Sequence, residues 1–423
     1  MTNRHYQDGV VELSAGQLER AASCFTEAIK RHPRDIYAYN KLALVYREQG
    51  HPKKAMRVLK AALKLKEDDL YTHYILGSAY LDEKQLDAAL AEFERASQID
   101  PEDGYTLNAI AQVYREMKQP QRAAAVLERA VEMDAADPYT QNHLALVRAE
   151  LGRFDQAMAV LQVALERAPE NPLLHATLGD LHHALGDDEK ARDRFDYLVR
   201  RHGTTKLGHV GLAHLEMTDG HYEEAVAHLH RALALDDADG GVHVSLGECH
   251  RQLGDLESAE RHFERAHTLD PGAVSPLTSL GEVYERQGLI LKAWEAYQEA
   301  ARRAPRSGYA RYLLGKLYMN QKVFAKAEVE LRAAAGLDAH DRYSRNALGF
   351  LRLVAADFAE AEEVFRQVLA VKPDDDYALL HLAKALLGRR KPEDARVVLR
   401  RVLELGDASG YRQQAREMFD ALG

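Results

Sequence analysis

The apolar positions of this chain recur on a fixed period. Alanine stands at Ala21, Ala55, Ala89, Ala123, Ala157, Ala191, Ala225, Ala259, Ala293, Ala327, Ala361 and Ala395, each 34 residues after the last. Twelve positions before each alanine lies a Gly or Ala, from Gly9 to Ala383. Four positions after it lies a bulky Phe, Leu or Tyr, from Phe25 to Leu399. An aliphatic residue precedes the small one everywhere except the first unit, where Asp8 stands. Apolar spacings of three and four mark one face of a helix, not a strand. Gly50, Gly152, Gly186, Gly254 and Gly288 interrupt the pattern in mid-unit, as helix ends do. Pro33, Pro101, Pro169, Pro271, Pro305 and Pro373 close it. Each unit therefore predicts helix A, a tight turn, helix B and a second turn. The small residue should face the alanine of the next helix and let two backbones approach, with the bulky residue filling the wedge.

A period of this length means a stacked repeat, in which each unit touches only its neighbours. That overrides the two or three globular domains that 423 residues would otherwise suggest. Twelve units are expected, at 2–35, 36–69, 70–103, 104–137, 138–171, 172–205, 206–239, 240–273, 274–307, 308–341, 342–375 and 376–409, with 410–423 as a C-terminal capping helix. The polar first helix, Asn3 to Leu13, and the segment Tyr411–Leu422 are expected to cap the ends. The repeat leaves no room for a catalytic domain, so the expected work is binding.

The third unit carries Leu76-Gly77, Tyr80, Ala89, Phe93, Ala96 and Pro101. This resembles the tetratricopeptide repeat family, whose signature runs W-x2-L-G-x2-Y, then A, F, A and P. The resemblance covers 2–409. It departs in lacking the signature Trp; the single Trp, Trp294, falls on a helix B. The signature Tyr is kept at Tyr46, Tyr80, Tyr114, Tyr284 and Tyr318, but is His182, Glu216 or Arg352 elsewhere. The resemblance implies an all-α, right-handed α-solenoid superhelix of helix-turn-helix hairpins. It implies A helices along a concave groove, and a protein–protein interaction scaffold or adaptor that captures a partner segment there.

On helix A, positions 2, 5, 9 and 12 of each unit share a face. Position 2 is Tyr at Tyr37, Tyr71, Tyr105, Tyr139, Tyr309, Tyr343, Tyr377 and Tyr411. Position 5 is Asn at Asn40, Asn108, Asn142 and Asn346, and Tyr at Tyr74. An Asn amide both donates and accepts, so it can clamp a peptide backbone of any sequence. Tyr gives a large contact area at little entropic cost. The competing reading packs these residues against neighbouring helices as architecture. The family's carboxylate clamp for acidic C-terminal tails is not matched: the Asn residues fall one place early, and Leu44, Ser78 and Gln112 hold the next inward site.

The net charge of −10 is unevenly spread: +7 over 1–66, −11 over 67–171, −9 over 172–273 and +3 beyond. No basic stripe supports nucleic-acid binding. Thirteen of the 20 histidines fall within 172–273. Asp180, His183, His214 and Glu248 come from three successive units and are a candidate polar cluster. Zinc or proton sensing is weighed there against a plain polar groove. With no i,i+4 His pair, H-E-x-x-H or C-x-x-C, no metal and no cofactor is expected. Phosphate-loop, dinucleotide and nucleophile-elbow motifs are also missing, so no catalytic residue is expected. Cys24 and Cys249 are too far apart in the stack to pair. No apolar run reaches a membrane span, and the N-terminus lacks a signal core. A cytoplasmic protein is expected, and the Ala, Arg, Asp and His content hints at a GC-rich bacterial genome. Three rival roles stay open: a regulatory or targeting subunit of a separate enzyme or complex, a self-assembling homo-oligomer, and an enzyme built on the His-rich middle.

Overall fold

The computed structural model describes residues 4–133, 137–203, 205–338, 340–405 and 410–422. Residues 2 and 3 of the first expected unit, the 134–136 junction and 406–409 at the end of the twelfth lie outside them. The described residues form twenty-five α-helices, α1 to α25 in chain order, from Arg4–Ser14 to Arg412–Asp420, and no strand. The fold is all-α, a solenoid of helical hairpins. The chain divides into two compact units, Met1–Leu215 and Glu216–Gly423. No helix among the described residues is long and apolar enough to cross a membrane.

Every one of the twelve periodic alanines is fully buried, and so is its bulky partner four residues on. Each lies on an even-numbered helix, such as α6 (Leu86–Ile99), which packs on the odd-numbered helix before it, here α5 (Leu70–Asp82). The small residue of the odd helix meets the bulky side chain itself. A Cβ built on Gly77 would lie 2.8 Å from Phe93. The wedge is therefore filled by the residue sixteen positions on, and at Gly315 the carbonyl of Ala327 also comes within 3.4 Å of the built Cβ.

The turn between paired helices uses one device throughout. The residues at 16, 50, 84, 118, 152, 186, 220, 254, 288, 322, 356 and 390, again 34 apart, all have positive φ. Seven are Gly, and five are Lys84, Lys118, Lys322, Ala356 and Arg390. A left-handed residue reverses the chain after helix A and satisfies its last carbonyls. Only seven of these turns show as glycine in the sequence, and the rest bear the strain of a side chain there.

Odd-numbered helices also touch the next odd-numbered one. In the first unit α5 contacts α3 (Ile36–Glu48) and α7 (Gly104–Glu116), and α7 contacts α9 (Pro138–Glu150). In the second, α17 (Ser275–Arg286) contacts α15 (Gly240–Leu253), and α21 (Arg342–Val354) contacts α19 (Gly308–Asn320) and α23 (Asp376–Gly388). Each unit thus presents runs of adjoining A helices. At the chain's end α25 packs on α24 (Pro392–Glu404) through buried Ala415 and half-buried Met418 and Phe419.

Candidate functional site

The tyrosines at position 2 stand out of the A-helix face. In the first unit Tyr37 and Tyr105 are 74% and 78% exposed, and Tyr71 and Tyr139 are exposed as well. In the second, Tyr309 and Tyr343 are exposed. Tyr377 is half-buried, stacked 4.0 Å from His381 and edge-on to Tyr411. Tyr74, at position 5, is half-buried with its ring 5.7 Å from Phe93. Large aromatics held at a fixed register with much of each ring in water give the face an exposed apolar patch.

The asparagines are placed differently. Asn40, Asn108 and Asn142 are buried. Thr72 Oγ1, at the start of the next A helix, lies 2.9 Å from Asn40 Oδ1. Asn108 Nδ2 donates to Thr140 Oγ1 at 2.6 Å and to Gly104 O at 2.9 Å, while His143 Nδ1 lies 3.1 Å from its Oδ1. Asn346 Nδ2 donates to Asp375 Oδ1 at 3.3 Å. At Asn40, Asn108 and Asn346 the amide ties one A helix to the next, while Asn142 Oδ1 and Asn346 Oδ1 are buried without a hydrogen-bond partner among the described residues. An amide clamp on a partner backbone would compete for the atoms that Asn40 and Asn108 already use, whereas the tyrosines of the expected Tyr-x-x-Asn face stand in water. Helical geometry explains the difference: position 2 points outward from the first turn, while position 5 points towards the neighbouring A helix.

Beside these ties runs a series of helix caps that sequence reasoning missed. Asp35, Asp69, Asp103, Asp137, Asp239, Asp341 and Asp375 each cap the following A helix by accepting from its first-turn backbone N–H groups. Asn171 does the same at the fifth position of the series. Thr72 and Thr106 also donate to their capping carboxylates. Acids immediately before helix A at multiples of 34 were the available signal.

The expected polar cluster draws on both compact units. Asp180, His183 and His214 lie in the first unit and Glu248 in the second. Asp180 is exposed on the face, yet the walls beside it desolvate its carboxyl and raise it to about 6. His183 Nδ1 lies 2.6 Å from Asp188 Oδ1. Burial, then the charge of His183, lowers His214. Glu248 accepts from Arg251 and Gln252, which hold it below the usual carboxylate range against the opposing effect of burial. Among the described residues a different trio, Glu216, Asp219 and His221, brings three potential metal-ligating atoms within 4.8 Å of one another. It lies at the turn between α13 (Leu207–Asp219) and α14 (Tyr222–Leu235).

Part of the histidine-rich middle is packing: His175 and His243 are buried. In the second unit His262 stacks 5.5 Å from His250, and its Nδ1 lies 3.0 Å from His243 Nδ1. Burial, and then these neighbours, push His262 down to about 4. In the first unit His73 is buried against Glu92 at 2.7 Å, and that hydrogen bond raises it.

Comparison with known proteins matches tetratricopeptide repeat models at 108–172, 210–274 and 278–342, and a second such model at 148–205 and 353–418. Residues 14–96 match the model for the anaphase-promoting complex, cyclosome, subunit 3. No curated protein sequence matches the chain. Among solved structures it is similar to yeast Tom70, at 17% identity and TM-score 0.52, covering 99% of this chain and 95% of that one. It is similar to a human IFIT1 dimer with PPP-AAAA, at 17% identity and TM-score 0.52, covering 88% and 91%. A tetratricopeptide repeat protein from Parabacteroides merdae aligns at 15% identity and TM-score 0.50, covering 58% of this chain and 97% of that one. With the period, the buried alanine series and these models in agreement, the chain belongs to the tetratricopeptide repeat family.

Proposed function

We propose that this chain is a protein–protein interaction scaffold that captures a segment of a partner along the face of its A helices. The observation that carries this is the row of solvent-exposed tyrosines, Tyr37, Tyr71, Tyr105 and Tyr139, at one register of the first unit. Tyr309 and Tyr343 form a shorter row in the second. Tyrosine is enriched where interfaces draw their energy, because it buries area and still offers a hydroxyl. The buried asparagines support the reading indirectly. They hold successive A helices in register, so the tyrosines stand on a rigid face and lose little entropy when covered. The same reading counts twelve units over 2–409 with 410–423 as a cap, and places the protein in a reducing cytoplasm, where Cys24 and Cys249 are free thiols.

The test replaces Tyr105 with a photocrosslinking phenylalanine analogue in the full chain, in cells of the native host. The control puts the same analogue at Val397, which is 68% exposed on even-numbered α24. One protein crosslinked from position 105 and not from 397 identifies the partner and supports the face. A Tyr37→Ala/Tyr105→Ala chain should then lose that partner by at least about tenfold with its helicity unchanged. A partner captured only from 397, or retained by the double variant, would move binding off the face.

A further inference from the structure

The A-helix face of the second unit holds a pocket of about 560 Å³, between α17, α19 and α21. Its aromatic walls are Tyr309, Tyr312 and Tyr343. The rings of Tyr309 and Tyr312 lie 6.4 Å apart at 28°, and those of Tyr312 and Tyr343 lie 6.2 Å apart at 51°. Glu282, Asp338 and Asp341 also line it, against one lining cation, Lys316. The Tyr309 hydroxyl donates to Glu282 Oε1 at 2.9 Å, which holds ring and carboxylate together. Burial, followed by that hydrogen bond, pushes Tyr309 up to about 12. Burial, and then the charge of Asp341, raise Tyr312 as well.

Aromatic faces attract cations through their quadrupole. The planar guanidinium does this best, since it stacks on a ring and forks to a carboxylate at its edge. The molecule supplies its own precedent. The Arg342 guanidinium sits 4.6 Å from the centre of Tyr343, and its Nη2 donates to the Tyr343 hydroxyl at 2.7 Å.

We propose that this pocket receives an arginine side chain of a bound protein segment, the guanidinium stacked on Tyr312 and Tyr343 and paired with Glu282 and Asp338. This rests on the reading that the A-helix face binds a partner segment, and it adds the chemistry of that segment. Charge complementarity selects the occupant: Arg251 already lies 3.5 Å from Glu282 and Arg342 already sits against Tyr343, but among the described residues Asp338 and Asp341 are in no ion pair, and these two carboxylates and the rings of Tyr309 and Tyr312 face a single lysine. Lys316 is exposed at the pocket and competes with the incoming cation.

The test titrates the full chain, with carbon-13-labelled tyrosine rings, with N-acetyl-argininamide and with its neutral isostere N-acetyl-citrullinamide. The ring signals of Tyr309, Tyr312 and Tyr343 should move saturably with the arginine probe and far less with the citrulline probe. Tyr343→Ala should weaken the arginine probe about three- to tenfold. Lys316→Ala should tighten it about two- to fivefold, a gain that damage to the fold would not produce. Equal response to both probes, or no tightening in the Lys316→Ala chain, would overturn the assignment. The crosslinked partner separates this from the broader reading. If it binds the face but the rings ignore the arginine probe, the arginine pocket falls alone. If the rings respond as expected but no partner is captured, the pocket stands as a guanidinium site and the scaffold reading falls.

Discussion

Between paired helices, the small and the bulky residue are matched by volume. Where the bulky residue is aromatic its partner is glycine: Gly9 with Phe25, Gly77 with Phe93, Gly179 with Phe195, Gly247 with Phe263, Gly281 with Tyr297 and Gly349 with Phe365. A Cβ at any of these glycines would fall 2.2 to 2.8 Å from the ring. Where the bulky residue is Leu the partner is Ala, as in Ala43 with Leu59 and Ala383 with Leu399. Gly315 with Leu331 is the exception, and there the leucine has moved in, 2.6 Å from where a Cβ would be. Packing of this density makes the two residues one energetic unit. Gly77→Ala alone should cost about 1–3 kcal/mol through overpacking, and Phe93→Leu alone should cost stability through the cavity it leaves. The double variant recreates the Ala–Leu pair of the preceding hairpin and should recover most of the loss. Urea midpoints of the four proteins test this, and simple additivity of the two losses would show that the pair is not coupled. The pairing was legible in the sequence, because both series are visible there. What the sequence could not show was that the two touch directly, since that depends on where each side chain leaves its helix.

The same first turn of helix A contains a residue for the fold and a residue for the surface. Asp103 caps α7 and accepts from Thr106, while Asn108 reaches Thr140 in the cap of α9. Tyr105 shares that turn and projects into water. Asn108→Ala should lower the melting temperature and cost about 1–3 kcal/mol, because Thr140 and His143 lose a buried partner. Tyr105→Ala should change stability by less than about 0.5 kcal/mol, as an exposed substitution does. Thermal unfolding of the two single variants decides it; equal losses would make Tyr105 architectural too. The 34-residue period and the 3–4 spacing show which residues share a helical face. They do not show how far a neighbouring helix covers that face. Tyr and Asn were therefore alike in sequence, and became distinct only when α7 and α9 came into contact. Tyr312 and Glu282 went unremarked for a related reason: the pocket is assembled from three A helices and no single unit contains it.

Across the whole molecule, nearest-neighbour packing means that local protonation is felt as local loosening. Three histidines in the two units share one liability. Burial pushes His143, His262 and His381 down to about 4. His143 shows the cause. Its Nδ1 faces Asn108 Oδ1, whereas its buried Nε2 has no hydrogen-bond partner. A second proton would place a charge where nothing can receive it. The unfolded chain binds that proton near the ordinary value of about 6.5, so it gains protons before the folded chain does. Stability from these groups is therefore complete above about pH 6.5 and is lost progressively as pH falls towards about 4. His73 works the other way. Its bond to Glu92 raises it, so its contribution is present below about 6.5 and is lost only as pH rises through its folded value. His175, His182, His214 and His243 are lowered as well, so seven lowered histidines against the raised His73 and Asp180 give net acid weakening. The melting temperature should fall between pH 7.5 and pH 5.0, and by less in His143→Gln, which keeps a polar side chain but no proton to gain. Calorimetry of both chains at the two pH values measures it. A His143→Gln chain with the same drop as the parent would show that this imidazole is not part of the acid response.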